Sequence, residues 1–80
     1  MAMKKIDGYE VISGARQIGQ SRPIAQVQTR ALDGTLGPQW FDVVTDKSFR
    51  TAQEAHAAAD SVVRAVESVD KNGVPHPLTY

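Results

Sequence analysis

The stretch TAQEAHAAADSVVRAVESV, residues 51–69, decides the fold, because it carries both a helix start signal and a long apolar stripe. Thr51 and Glu54 stand at the spacing of a capping box, in which the Thr hydroxyl accepts from the amide of Glu54 and the Glu54 side chain returns to the amide of Thr51. Behind them Ala52, Ala55, Ala59, Val62, Val66 and Val69 recur at intervals of three and four, widened by Val63. Gln53, Asp60, Ser61, Arg64, Glu67 and Ser68 fall off the stripe. The pattern predicts one amphipathic helix of about five turns. Asn72-Gly73 then supplies a residue suited to the left-handed region and Pro75 blocks continuation, so the helix is expected to stop near Asp70 or Lys71. The remainder, residues 72–80, holds two Pro and no period and reads as an extended tail.

Working back from the helix, three β-prone runs precede it. Residues 9–15 place Tyr9, Val11, Ser13 and Ala15 on one side of a strand, with Glu10, Ile12 and Gly14 on the other. Residues 24–31 alternate in the same way, with Ala25, Val27, Thr29 and Ala31 opposed to Ile24, Gln26, Gln28 and Arg30. Residues 39–45 contain Trp40, Phe41, Val43 and Val44 and are the most β-prone of the chain. Between the first two runs lies a polar loop, residues 16–23, closed by Pro23. Between the second and third, Asp33-Gly34 and Gly37-Pro38 supply turn geometry. The predicted architecture is α+β: a three-stranded antiparallel sheet with one C-terminal helix packed on one face, β-β-β-α. One domain spans residues 1–80, with a folded core over 6–71.

Length and composition set the functional limits. Eighty residues with 41% apolar content, ten of them alanines, can build one small core. Nine Lys plus Arg balance nine Asp plus Glu, so no global field draws in nucleic acid or an anionic membrane. The charges divide unevenly: residues 1–50 hold seven basic and five acidic groups, residues 51–80 two and four. With no cysteine, disulfides, thiolate zinc sites and cysteine nucleophiles are excluded. Residues 1–7 offer two lysines but no apolar run behind them, and no stretch reaches the ~20 apolar residues of a membrane span. A cytoplasmic location without membrane contact is the expectation.

Chemical motifs fail on inspection. Residues 14–21 match the glycine spacing of a phosphate-binding loop, but Gln20 stands where a lysine must reach the phosphates, and a strand follows instead of a helix. His56 and Asp60 share a helix face, with His76 as a conceivable third ligand, yet a boundary His paired with an Asp needs no metal. Ser13, Ser21 and Ser48 lack a glycine-flanked elbow or a neighbouring base. No catalytic residue, cofactor or metal ligand is assigned.

What remains is a surface. If Phe41 and Val43 face the helix, Trp40, Asp42 and Val44 emerge on the other sheet face together with Gln26, Gln28 and Arg30. The bland alternative packs Trp40 onto its own first strand, against Ile12 and Ile18. Gln26, Gln28, Arg30, Trp40 and Asp42 form the candidate interaction surface, for a protein partner or a second copy of the chain. The alternative occupant is DNA or RNA, with Arg16, Arg22, Arg30, Lys47 and Arg50 on phosphates and the glutamines on base edges.

Three short strands, Trp40-Phe41, and Phe49-Arg50-Thr51-Ala52-Gln53-Glu54-Ala55 opening an Ala-rich helix resemble a family of small uncharacterised bacterial proteins of β-β-β-α layout. Residues 39–59 are also similar to the arm-binding domains of phage-type integrases. That resemblance implies a three-stranded sheet entering the DNA major groove. Asp42 and Asp46 and the absence of surplus Lys and Arg depart from the integrase pattern.

Overall fold

The structure, a computed structural model, describes residues 2–35, 37–45 and 47–77. It is α+β, with an antiparallel sheet and one helix, and the sheet has four strands. In chain order these are β1 (Met3–Ile6), β2 (Tyr9–Arg16), β3 (Ile24–Ala31) and β4 (Gln39–Val43), each hydrogen-bonded to the next. The helix α1 (Ala52–Ala65) follows. Two short strands, β5 (Ser68–Val69) and β6 (Pro75–His76), then pair with each other.

The additional strand β1 corrects the three-stranded expectation and extends the sheet N-terminal to residue 6. Asp7 and Gly8 take φ of 53° and 80°, two successive positive values that suit a two-residue hairpin loop matched to strand twist. Ile6 thereby pairs with Tyr9, and Met3 with Ile12.

Helix α1 starts where the sequence places it. Thr51 is extended, and its hydroxyl accepts from the Glu54 amide at 3.1 Å. Among the described residues only this half of the capping box is made. The helix ends at Ala65, a turn or more before Asp70, and the early end has a tertiary cause. Val66 turns extended, with ψ 125°, and the Lys4 ammonium on β1 donates to the carbonyls of Arg64 at 2.9 Å and Val66 at 2.8 Å. A cation there satisfies carbonyls that lack intrahelical partners and complements the negative end of the helix dipole.

Beyond the helix the chain does not trail away up to residue 77. The Glu67 amide donates to the His76 carbonyl at 2.7 Å, and the Val69 amide to Asp7 Oδ2 at 2.8 Å. The turn between β5 and β6 is organised by Asp70, whose Oδ1 accepts from the amides of Asn72 and Val74. This hairpin replaces the extended tail expected from residue 72, and residues 78–80 lie outside the described ones. It docks on the sheet: buried Thr29 donates to the Gly73 carbonyl at 2.7 Å, Gln39 to that of Asn72 at 2.8 Å, and Tyr9 to that of Lys71 at 3.2 Å.

The core lies between α1 and one face of the sheet. Ala55, Ala59, Val62 and Val63 of the helix meet Val11 on β2, Ala25 and Val27 on β3 and Val43 on β4, with Phe49 closing the helix's N-terminal end and Val66 and Val69 the other. Val66 and Val69 are therefore buried as expected, though from an extended segment. Val44 departs from the strand alternation. Its φ of 53° turns the chain out of β4, and its side chain packs against the core instead of the opposite face.

Phe49 is 8% exposed within this cluster, whereas Thr51 contributes one amide bond at the surface. Phe49→Ala is expected to cost ~3–5 kcal/mol, enough to unfold most of so small a domain, and Thr51→Ala ~1 kcal/mol. Thermal melts followed by circular dichroism separate the two, and a Phe49→Ala chain melting like the wild type would contradict the helix docking described here.

Candidate functional site

Strand registers determine what the uncovered sheet face carries. Met3, Ile12, Gln28 and Trp40 pair in sequence across all four strands and form one row. On one side lies the row Lys5, Glu10 and Arg30, and on the other the row Gly14, Gln26 and Asp42. The face is thus apolar at both ends of its middle row, charged along one flank and amidic along the other.

Trp40 stands on the surface at 56% exposure, and Ile18, one of the two partners named in the alternative, sits in the β2–β3 loop at 55%. The indole lies instead toward Gly14: a side-chain carbon at that glycine would come 3.5 Å from its Cζ3. A shallow depression of about 370 Å³, lined by Gly14, Ala15, Arg16, Gln26 and Trp40, marks the place. Gln26, expected among the exposed residues, is only 6% exposed, and its amide donates to Asp42 Oδ1 at 2.8 Å. Arg30 is held by Glu10 Oε1 at 3.0 Å. All five residues of the candidate surface thus lie on one face, with Gln26 tied to Asp42 and Arg30 to Glu10.

Sequence reasoning missed Met3 and Lys5, which join this face through β1, and it left the strand of Glu10 and Ile12 at the edge of the sheet. The signal was the Asp7-Gly8 pair, a strong short-range hairpin marker.

The five cations of the nucleic-acid alternative are not brought together. Arg16 and Arg30 are on the open face but three rows apart. Arg22 and Arg50 line a separate cleft of about 440 Å³ with Gln17, Gln20, Ser21, Pro23 and Phe49. Lys47 borders two further depressions, one that adjoins this cleft at Pro23 and Phe49 and one between Val44 and α1.

On the covered side, a polar cluster joins the N-terminal segment, β2 and α1. Ser13, 3% exposed, donates its hydroxyl proton to Asp60 Oδ1 and accepts from the Ala2 amide at 3.0 Å. His56 Nε2 lies 3.1 Å from the same oxygen, whose proton has a second acceptor in the Ala2 carbonyl at 3.3 Å. Asp60 Oδ1 also accepts from the Ala2 amide at 2.9 Å. A hydrolytic triad requires the serine proton on the histidine and the carboxylate on the far ring nitrogen. Here Asp60 Oδ1 lies against the serine oxygen and 3.7 Å from His56 Nε2, the same ring nitrogen that faces the serine. The His56–Asp60 pair is thus completed by Ser13 and Ala2, while His76 is engaged elsewhere, 3.0 Å from Asp70 Oδ2. Among the described residues no three His, Cys, Asp or Glu side chains converge on a metal position, and no helix is long and apolar enough to cross a membrane.

Comparison with protein-family models, with curated proteins and with solved structures finds no match.

The hydrogen bond from Ser13, followed by that from the Ala2 amide, holds the Asp60 carboxyl below the ordinary carboxylate range against the opposing effect of desolvation. Asp70 is lowered by His76 first and by the Val74 amide next. Groups with folded values below the unfolded ~3.9 add stability that is complete above that pH and lost as pH falls through the folded values. Thermal melts of the wild type are therefore expected to hold their midpoint down to about pH 4 and to drop below it. Asp60→Asn should melt lower at neutral pH and lose less on acidification. A midpoint unchanged on acidification from about pH 6 to pH 2 would contradict the assignment.

Proposed function

We propose that the protein is a small non-catalytic interaction module whose open sheet face receives a protein partner. The observation that carries this reading is Trp40, a half-exposed indole on a face that no element covers among the described residues. Aromatic side chains are enriched in interface cores, where a large rigid ring loses little conformational freedom on binding. The surroundings suit that role: Met3 and Ile12 extend the apolar row, while the Gln26–Asp42 and Arg30–Glu10 pairs have settled their own hydrogen bonds and form a polar rim. An alanine-lined helix on the other face leaves this one free.

Nucleic acid is the weaker reading. Arg30 is paired with Glu10, Asp42 adjoins Trp40 on the same strand, and the remaining candidate cations lie on separate surfaces, so the face offers no continuous track for a phosphate backbone.

The test is differential capture. Wild-type chain, Trp40→Ala and Gln28→Glu are immobilised side by side and exposed to the same lysate. The expected result is a protein retained by the wild type, weakened at least tenfold by Trp40→Ala and reduced by Gln28→Glu, with little dependence on salt. Equal retention by all three, or a retained oligonucleotide whose affinity falls steeply with ionic strength, contradicts the proposal.

A further inference from the structure

The two edges of the sheet are built differently. The β1 edge, Met3-Lys4-Lys5-Ile6, is four residues long and carries two lysines, a common device against edge-to-edge pairing. The β4 edge, Gln39-Trp40-Phe41-Asp42-Val43, has no lysine and no internal proline, and it presents two adjacent aromatic residues. Its one charge, Asp42, is already bonded to Gln26. Phe41, on the helix side, is only half-buried, because α1 lies over β2 and β3. Alternate backbone N–H and C=O groups of β4 point away from β3 and have no ladder partner among the described residues.

We propose that β4 pairs antiparallel with β4 of a second copy, joining two sheets into one of eight strands. The register follows from the length of the strand. A two-fold axis that uses all five residues must pass through Phe41, which sets Phe41 opposite Phe41, Trp40 opposite Asp42 and Gln39 opposite Val43. The self-opposed position, Phe41, is the complementary one. The two phenyl rings meet on the helix side, where neither is fully covered within its own chain. On the open face the register sets Trp40 of each copy beside Asp42 of the other, while each indole stays folded over its own Gly14. The chain has zero formal net charge at pH 7, so two copies approach without long-range repulsion. A heterologous strand would satisfy the backbone equally well but has no reason to match this register.

The inference does not rest on the open-face reading. Edge pairing leaves that face free, whereas a face-to-face dimer would bury it, and cysteine cross-linking separates the two. The chain has no cysteine of its own. Directly opposed residues of an antiparallel pair have Cα atoms about 4.5–5.5 Å apart, within disulfide range. Under mild oxidation Phe41→Cys is expected to convert to a covalent dimer while Gln28→Cys, at the centre of the open face, stays monomeric. Because Phe41 is half-buried, an equimolar mixture of Trp40→Cys and Asp42→Cys chains repeats the test at two exposed positions, where the mixed disulfide should dominate over either self-pair. Wild-type sedimentation should show the mass doubling as concentration rises. A wild type that remains monomeric at about 1 mM overturns the proposal. So does cross-linking through Gln28→Cys in preference to Phe41→Cys and to the mixed pair.

Discussion

The structure depends on the close approach of one helix to one face of the sheet. Ala55 and Ala59 on α1 and Val11, Ala25 and Val27 beneath them have no solvent-accessible surface at all. Small side chains on both layers bring the helix backbone near the strands, and larger valines fill the volume toward the helix C-terminus. Each fully buried valine contributes about 1.5–3 kcal/mol relative to exposure. In so small a core few contacts can be lost, and the choice of face made here dictates everything displayed on the other.

Around that contact the chain ties its own ends together. Ala2 and Ser13 bond to Asp60, Lys4 closes the helix C-terminus, and Asp7 receives the Val69 amide. The first strand is therefore bound to the helix and to the final hairpin as well as to β2. These polar contacts do on the rim what the valines do in the centre: they fix which side of the sheet the helix lies on.

Much of this was legible. The bounds of β3, the start of α1 and the facing of Trp40, Gln28 and Arg30 follow from alternation and a capping residue, which are local signals. The features that were not legible are those in which a local signal has two uses. Asn72-Gly73 serves equally as a helix stop and as part of a hairpin turn, and only the Lys4 contacts with the Arg64 and Val66 carbonyls and the Thr29 bond to Gly73, from residues more than 40 positions away, decide between them. Val66 and Val69 keep the helical spacing yet are buried from an extended segment. Asp7-Gly8 is a hairpin signal that went unused because the run before it, Met3-Lys4-Lys5-Ile6, is too short and too charged to mark itself as a strand. The burial of Gln26 and the Ser13–His56–Asp60 cluster depend on residues apposed across strands and layers, which no pattern along one element contains.

The central claim is that α1 covers the Val11, Ala25 and Val27 face and leaves the face of Ile12, Gln28 and Trp40 to solvent. Trp40 is the only tryptophan of the chain, so its fluorescence reports on that face alone. In dilute solution, the account predicts an emission maximum typical of a hydrated indole and efficient quenching by acrylamide and by iodide. A blue-shifted emission that neither quencher reaches would place the indole in the core and contradict the assignment of the two faces.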